Sequence, residues 1–321
     1  MAKIIVEVCQ NHKGDRTLLA RMIAAAAENG ADFVKMQSIF SEDLTKRAQF
    51  EEGENAPDGA VRAIKRPYAP EHERLSKLDL TIDDHLFFIE ECKRNGIAPL
   101  TTIFARGRIQ EIAALPWPEK IVKVASYDCP NIPFMRELCK HFDYIIVSTG
   151  ASYDEEIERS AELIKDLGKK LTLLHCVTSY PNTLPMANLK RMEWLRTHAD
   201  ETGWSDHTLI ERDGLIAAKA ALALGADFIE RHFTVLPATE TKDGPISITP
   251  ELLRELSDFR NLSRAQQEAV LNAEYPRWRE ELLGSEKRKI THTEKLNRDY
   301  YRGRFASRRA DGSYFHNWDE Q

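Results

Sequence analysis

Short apolar or β-branched runs alternate along the chain with longer stretches of helical period, the pattern of a parallel sheet built from strand-helix units. Eight runs read as strands: 4–8 (IIVEV), 33–37 (FVKMQ), 97–102 (IAPLTT), 121–126 (IVKVAS), 144–148 (YIIVS), 171–176 (LTLLHC), 202–206 (TGWSD) and 227–232 (DFIERH). The seventh is the weakest by composition. Between them lie TLLARMIAAAAENG, TIDDHLFFIEECKRNG and GLIAAKAALALGA, with apolar spacings of three and four and, near the end of each, a glycine or asparagine suited to a helix C-cap. The prediction is an α/β fold: a (β/α)8 TIM barrel over residues 1–260, then a short C-terminal helical and basic extension over 261–321.

Such a barrel gathers its active site at the C-terminal ends of its strands. The sequence supplies a polar group at that end of every run: Glu7 followed by Asn11 and His12; Lys35 and Gln37; Thr101 and Thr102; Lys123, Ser126 and Asp128; Ser148 and Thr149; His175 with Thr178 and Tyr180; Ser205, Asp206 and His207; Glu230 and His232. His207 and His232 thus become neighbours across the mouth. Two imidazoles without a thiolate cage can hold a divalent metal with positions open to substrate. Lys35 and Lys123 sit inside apolar strand patterns, where an ammonium is costly to bury without an anion. Together with Thr102, Ser126, Ser148 and Ser205 they can clamp a ligand carrying phosphate and carboxylate; salt bridges to Glu7 and Glu230 are the competing explanation.

Composition narrows the classes. The 321 residues are 42% hydrophobic, enough for a sizeable core, and the net charge of −6 gives no general attraction to nucleic acid or anionic membrane. No apolar run approaches the roughly 20 residues that span a bilayer, and the N-terminus lacks a secretory pattern, so the chain is expected to be cytoplasmic. The five cysteines, Cys9, Cys92, Cys129, Cys139 and Cys176, are scattered and read mostly as buried small apolar residues. No nucleotide-binding glycine loop is present.

The segments EVCQNHKG, ADFVKMQ, KVAS, STG, HCVTSYP, GWSDHT and IERHFT, in unbroken order from Ile4 to Thr234, resemble the sialic acid synthase family of N-acetylneuraminate, legionaminate and pseudaminate synthases. The resemblance implies a (β/α)8 barrel that condenses phosphoenolpyruvate with an N-acetylated hexose in its aldehyde form, releasing phosphate. It implies Mn2+, or another divalent metal such as Mg2+ or Co2+, on His207 and His232. Phosphoenolpyruvate is then expected against Lys35, Thr102, Lys123, Ser126, Ser148 and Ser205. Glu7 is the expected proton-transfer group, while Gln37, Asp128, Tyr180 and Glu230 hold the sugar or organise its site, with Thr178 beside them. A homodimer is expected on the same ground.

Several positions depart from the family pattern. Tyr127 stands where a glycine is usual, and Thr178 where asparagine is common. Family enzymes usually end in a small antifreeze-like domain that supplies an arginine to the partner's sugar site. Here TEKLNRDYYRGRFASRRADG resembles only the opening of that domain, which leaves two expectations: Arg302 or Arg304 closes a neighbour's site, or the tail is basic and solvated or packs in a dimer. The segment 38–80 is too long for a plain loop and is expected to border the site as a lid. Two rival functions fit parts of the pattern: a metal-dependent hydrolase, which leaves the strand lysines without a role, and a non-catalytic sugar-phosphate binding protein, which needs neither both histidines nor Glu7.

Overall fold

The computed structural model describes residues 1–320. Eight parallel strands close a barrel in chain order: β1 (Lys3–Cys9), β2 (Phe33–Ser38), β3 (Ala98–Ile103), β4 (Ile121–Val124), β5 (Tyr144–Ser148), β6 (Lys170–Cys176), β7 (Glu201–Asp206) and β8 (Phe228–His232). β8 returns to β1 with Glu7 opposite His232, so the first and last catalytic candidates are brought side by side by the closure itself. The weak seventh run is a full strand, paired on both sides. Its glycine has a packing reason: a Cβ on Gly203 would lie 2.2 Å from the Phe228 carbonyl oxygen of β8.

Alternation along the strands divides the barrel interior into storeys. Ile5, Phe33, Leu100, Ile121, Ile146 and Phe228 form an apolar lower layer. Two residues further along the same strands stand Glu7, Lys35, Thr102, Lys123, Ser148 and Glu230, all buried. The charged storey therefore rests on a dry floor, with its open side toward the C-terminal mouth.

Outside the strands, one continuous core joins the barrel to its helices, and Leu271, Trp278 and Leu282 of the C-terminal extension belong to it. Charged faces of the helices Arg264–Glu274 and Trp278–Leu282 are solvated as expected, yet Trp278 is fully buried. Residues 38–80 fold into one 3-10 turn, two short α-helices and a hairpin beside the mouth. The tail after Thr291 corrects the expectation of a solvated segment, since it packs on its own chain. The helix His292–Tyr301 and the hairpin Ala306–Arg308/Tyr314–His316 dock on the chain's own barrel. Phe305 enters a small second core with Ile39, Leu44 and Leu75 of the insertion, and its backbone bridges Leu44.

Candidate active site

A cavity of about 540 Å³ opens at the C-terminal mouth. Its depth is lined by the charged storey. Lys35 is ion-paired with Glu7 and donates to Thr102 Oγ1 at 3.2 Å. Lys123 Nζ donates to Ser148 Oγ at 2.6 Å. Glu230 lies between the two ammonium groups, 3.9 Å from Lys35 and 3.8 Å from Lys123, and accepts from Ser205 Oγ at 2.8 Å. Burial opposes ionisation of Glu230, but Lys123, Lys35 and Ser205 outweigh it and hold the carboxyl below its ordinary range. Both explanations of the strand lysines thus hold together: they meet Glu7 and Glu230, and they still face the cavity. Ser126 Oγ lies 2.9 Å from Cys176 Sγ and accepts from the Gly150 N–H at 3.2 Å.

At the rim, the rings of His207 and His232 have centroids 5.3 Å apart and are inclined at 72°. Tyr180 packs edge-on against His207 at 4.4 Å. Asp206, next to His207, is fully buried against Arg231 at 2.8 Å, and this pair fixes the end of β7 to β8. Burial, foremost, pushes both imidazoles below their ordinary pKa, so each is neutral and has a lone pair to give. Nδ1 of His207 and Nδ1 of His232 are buried without a hydrogen-bond partner among the described residues. Native interiors rarely leave such atoms unpaired; a bound cation would satisfy them, so the donor set fits a divalent metal.

Twelve of the fourteen residues expected at the site line this one cavity: Gln37 and Tyr180 join the groups already named. Asp128 and Thr178 do not. Asp128 accepts from Asn131 Nδ2 at 3.0 Å, and burial raises its carboxyl to about 6. Thr178 gives its carbonyl oxygen to Asn297 Nδ2 at 3.0 Å and its N–H to Glu294 at 3.3 Å, so it serves the tail.

The structure adds groups beyond the fourteen expected at the site. Tyr127 fills the space where backbone room was expected and stacks on Tyr301 of the tail, centroids 4.4 Å apart and planes 15° from parallel. Arg66, Glu71 and Arg74 reach in from the insertion, and Asn297, Tyr301 and Arg304 roof the cavity from the tail. Arg304 pairs with Glu71, whereas Arg302 turns outward to Glu156 at 3.2 Å. All five cysteines are buried, as expected, and Cys9 has a further contact. A bulge in β1 after Glu7 brings its thiol to the Asp243 carboxylate. A carboxylate eleven residues beyond His232, in TKDGP, was the only hint of Asp243 in the sequence.

The model of the NeuB family matches residues 22–270. The chain belongs to the NeuB family. Among curated relatives, this NeuB-family chain is 32% identical over 279 residues to the N,N'-diacetyllegionaminic acid synthase of Campylobacter jejuni, covering 84% of itself and 79% of that protein. It is 27% identical over 308 residues to a pseudaminic acid synthase of Campylobacter jejuni, covering 95% of itself and 81% of the relative. Among solved structures, the N-acetylneuraminic acid synthetase of Leptospira borgpetersenii in complex with citrate superposes with a TM-score of 0.68 at 26% identity, over 93% of this chain and 90% of that one. No helix of the NeuB-family chain, among its described residues, is long and apolar enough to cross a membrane.

Proposed function

We propose that this chain is a synthase that condenses phosphoenolpyruvate with the aldehyde form of an N-acetylated hexose, giving a sialic-acid-like 2-keto-3-deoxy acid and phosphate. The observation that carries this reading is the union, in one cavity, of a floor of two lysines and four hydroxyls with two neutral imidazoles at the rim. A hydrolase has no use for that floor. A binding protein has no use for the paired imidazoles.

In this reading Lys35 and Lys123, with Thr102, Ser126, Ser148 and Ser205, bind the phosphate and carboxylate of phosphoenolpyruvate and aim its C3 at the mouth. His207 and His232 would hold a divalent ion, Mn2+ or another such as Mg2+ or Co2+, which would supply Lewis acidity for the aldehyde carbonyl. As C3 attacks the aldehyde carbon, positive charge develops at C2, and the carboxylates of Glu7 and Glu230 lie beside it. Glu7 takes the proton of the water that adds to C2, and the C2–O bond to phosphate then breaks. Gln37 and Tyr180 hold the sugar, with Glu230 beneath them; Asp128 and Thr178 support that pocket from outside its wall. The roof of Tyr301 and Arg304 excludes water while the bond forms. The working form is a homodimer, as the resemblance implies, and its expected compartment is the cytoplasm; light scattering of the purified protein checks the assembly.

The deciding experiment measures phosphate release from phosphoenolpyruvate with Mn2+ across a panel of N-acetylated hexoses, with mass detection of the condensed acid and a control lacking aldehyde. Aldehyde-dependent release matched by the condensed mass is expected for one sugar. Silence across the panel, in a protein that binds phosphoenolpyruvate, overturns the reading. His207→Ala and His232→Ala each abolish metal-dependent turnover while circular dichroism stays native; a fully active double variant removes the metal assignment.

A further inference from the structure

Three donors of different chemistry meet at the rim: Cys9 Sγ, a ring nitrogen of His232 and a carboxylate oxygen of Asp243 all lie within 4.8 Å of one another. His232 Nδ1 is 3.9 Å from Asp243 Oδ2. His207 lies outside that 4.8 Å cluster but adjoins it through His232, the two ring centroids being 5.3 Å apart.

We infer that Cys9 and Asp243 complete, with His207 and His232, a four-donor site for a thiophilic first-row divalent cation. The inference rests on the metal-dependent reading above and goes beyond it, since that reading required two imidazoles and no sulfur. Two independent features carry it. The first is the pair of unpartnered Nδ1 atoms on His207 and His232, residues that are 4% and 9% exposed. A cluster whose role was only to pack would leave both uncompensated, whereas a cation takes a lone pair from each. The second is the backbone. Register between β1 and β2 slips between Glu7 and Cys9, so that Glu7 faces Lys35 and Cys9 faces Met36. Bulges of this kind re-aim a side chain beside an active site. Cys9 also takes a φ of +39°, a left-handed conformation disfavoured for any residue with a Cβ. The strand holds an unfavourable backbone at the one position where it presents sulfur to a carboxylate and an imidazole.

Donor chemistry then sets the choice of ion. One thiolate, two imidazoles and one carboxylate suit Zn2+, Fe2+ or Co2+, while Mg2+ prefers oxygen donors and water. The sulfur also makes the site sensitive to thiol reagents in a way that a bis-imidazole site is not.

The test uses the full chain and does not depend on turnover. Loaded with Co2+, the wild-type protein is expected to show a near-ultraviolet thiolate-to-cobalt charge-transfer band. Cys9→Ser loses the band and binds Co2+ at least about tenfold more weakly, the lower end of what disturbing a metal site costs. Asp243→Asn keeps the band and weakens binding. Because Cys9→Ser can fail to fold, X-ray absorption at the zinc edge of the wild-type protein serves as a second measurement: one sulfur at about 2.3 Å is expected. A shell of nitrogen and oxygen alone, or a Cys9→Ser protein with unchanged cobalt spectrum and affinity, overturns the inference. A sulfur-ligated protein that releases no phosphate with any sugar would instead leave the site standing and remove the proposed reaction.

Discussion

Glu230 has one hydrogen-bond donor and two cations for company in a cavity floor that water enters only from above. Breaking one partner of a buried charge pair leaves the other uncompensated, at a cost of about 3–5 kcal/mol. Lys123→Met is therefore expected to destabilise the fold by roughly that amount, since Lys35 is already engaged by Glu7. Adding Glu230→Gln restores most of the stability but no phosphate release, and the unfolding midpoints of the two single variants and the double variant check it. The strand lysines were legible in the sequence because a charge inside an apolar run stands out. Cys9 was not, because its role depends on a bulge and on a carboxylate in a distant loop. Asp128 and Thr178 show the opposite limit: the chain fixes that they sit after β4 and β6, while hydrogen bonding to Asn131 and to the tail decides where they turn.

At the scale of an element, the helix His292–Tyr301 explains why its own docking went unseen. It is attached through polar contacts more than through an apolar stripe. Thr291 and Glu294 form its capping box, Glu294 is fully buried against Arg288 at 2.6 Å, and Arg298 pairs with Glu156. A sequence rich in Lys and Arg with little apolar period reads as solvated, and only the acceptors waiting on the barrel reverse that. Tyr301→Ala removes a stacked pair worth about 0.5–1.5 kcal/mol. It is expected to raise KM for the sugar by roughly two- to tenfold and to leave KM for phosphoenolpyruvate nearly unchanged, because Tyr301 roofs the outer cavity and not its floor. The hold of the insertion on the tail is acid-sensitive. Burial opposes the charge on Glu71, yet donation from Arg74 and the charge of Arg304 bring its carboxyl from an ordinary 4.5 to about 2. A depressed carboxylate contributes stability that is present above its unfolded value and lost as pH falls through the folded one. Protection of the tail against hydrogen exchange, corrected for the intrinsic rate at each pH, should accordingly fall as pH drops from about 4.5 to about 2.

For the molecule as a whole, the barrel was the most legible feature. Its eight apolar runs announce themselves one by one, and parallel pairing of neighbours in chain order leaves little choice of topology. The roof was illegible because it joins distant segments: Arg106 and Gly107, after β3, donate their N–H groups to Asn317 and Ser307 of the tail. Closure within one chain makes a distinct prediction for mixtures. If Arg304 serves its own barrel, mixing inactive His207→Ala copies with weakened Arg304→Ala copies restores no activity; recovery toward a quarter of the wild-type rate would place the arginine on a partner's site. The docking also has a consequence in time. Residues 291–317 leave the ribosome after every strand of the barrel has been made, and their contacts with the barrel and the insertion span from 116 to 259 positions of chain. Loop closure over such distances comes late. A nascent barrel can thus be complete in its strands and charged floor while it still lacks a ceiling, and the competence to exclude water arrives only after the last strand has been made.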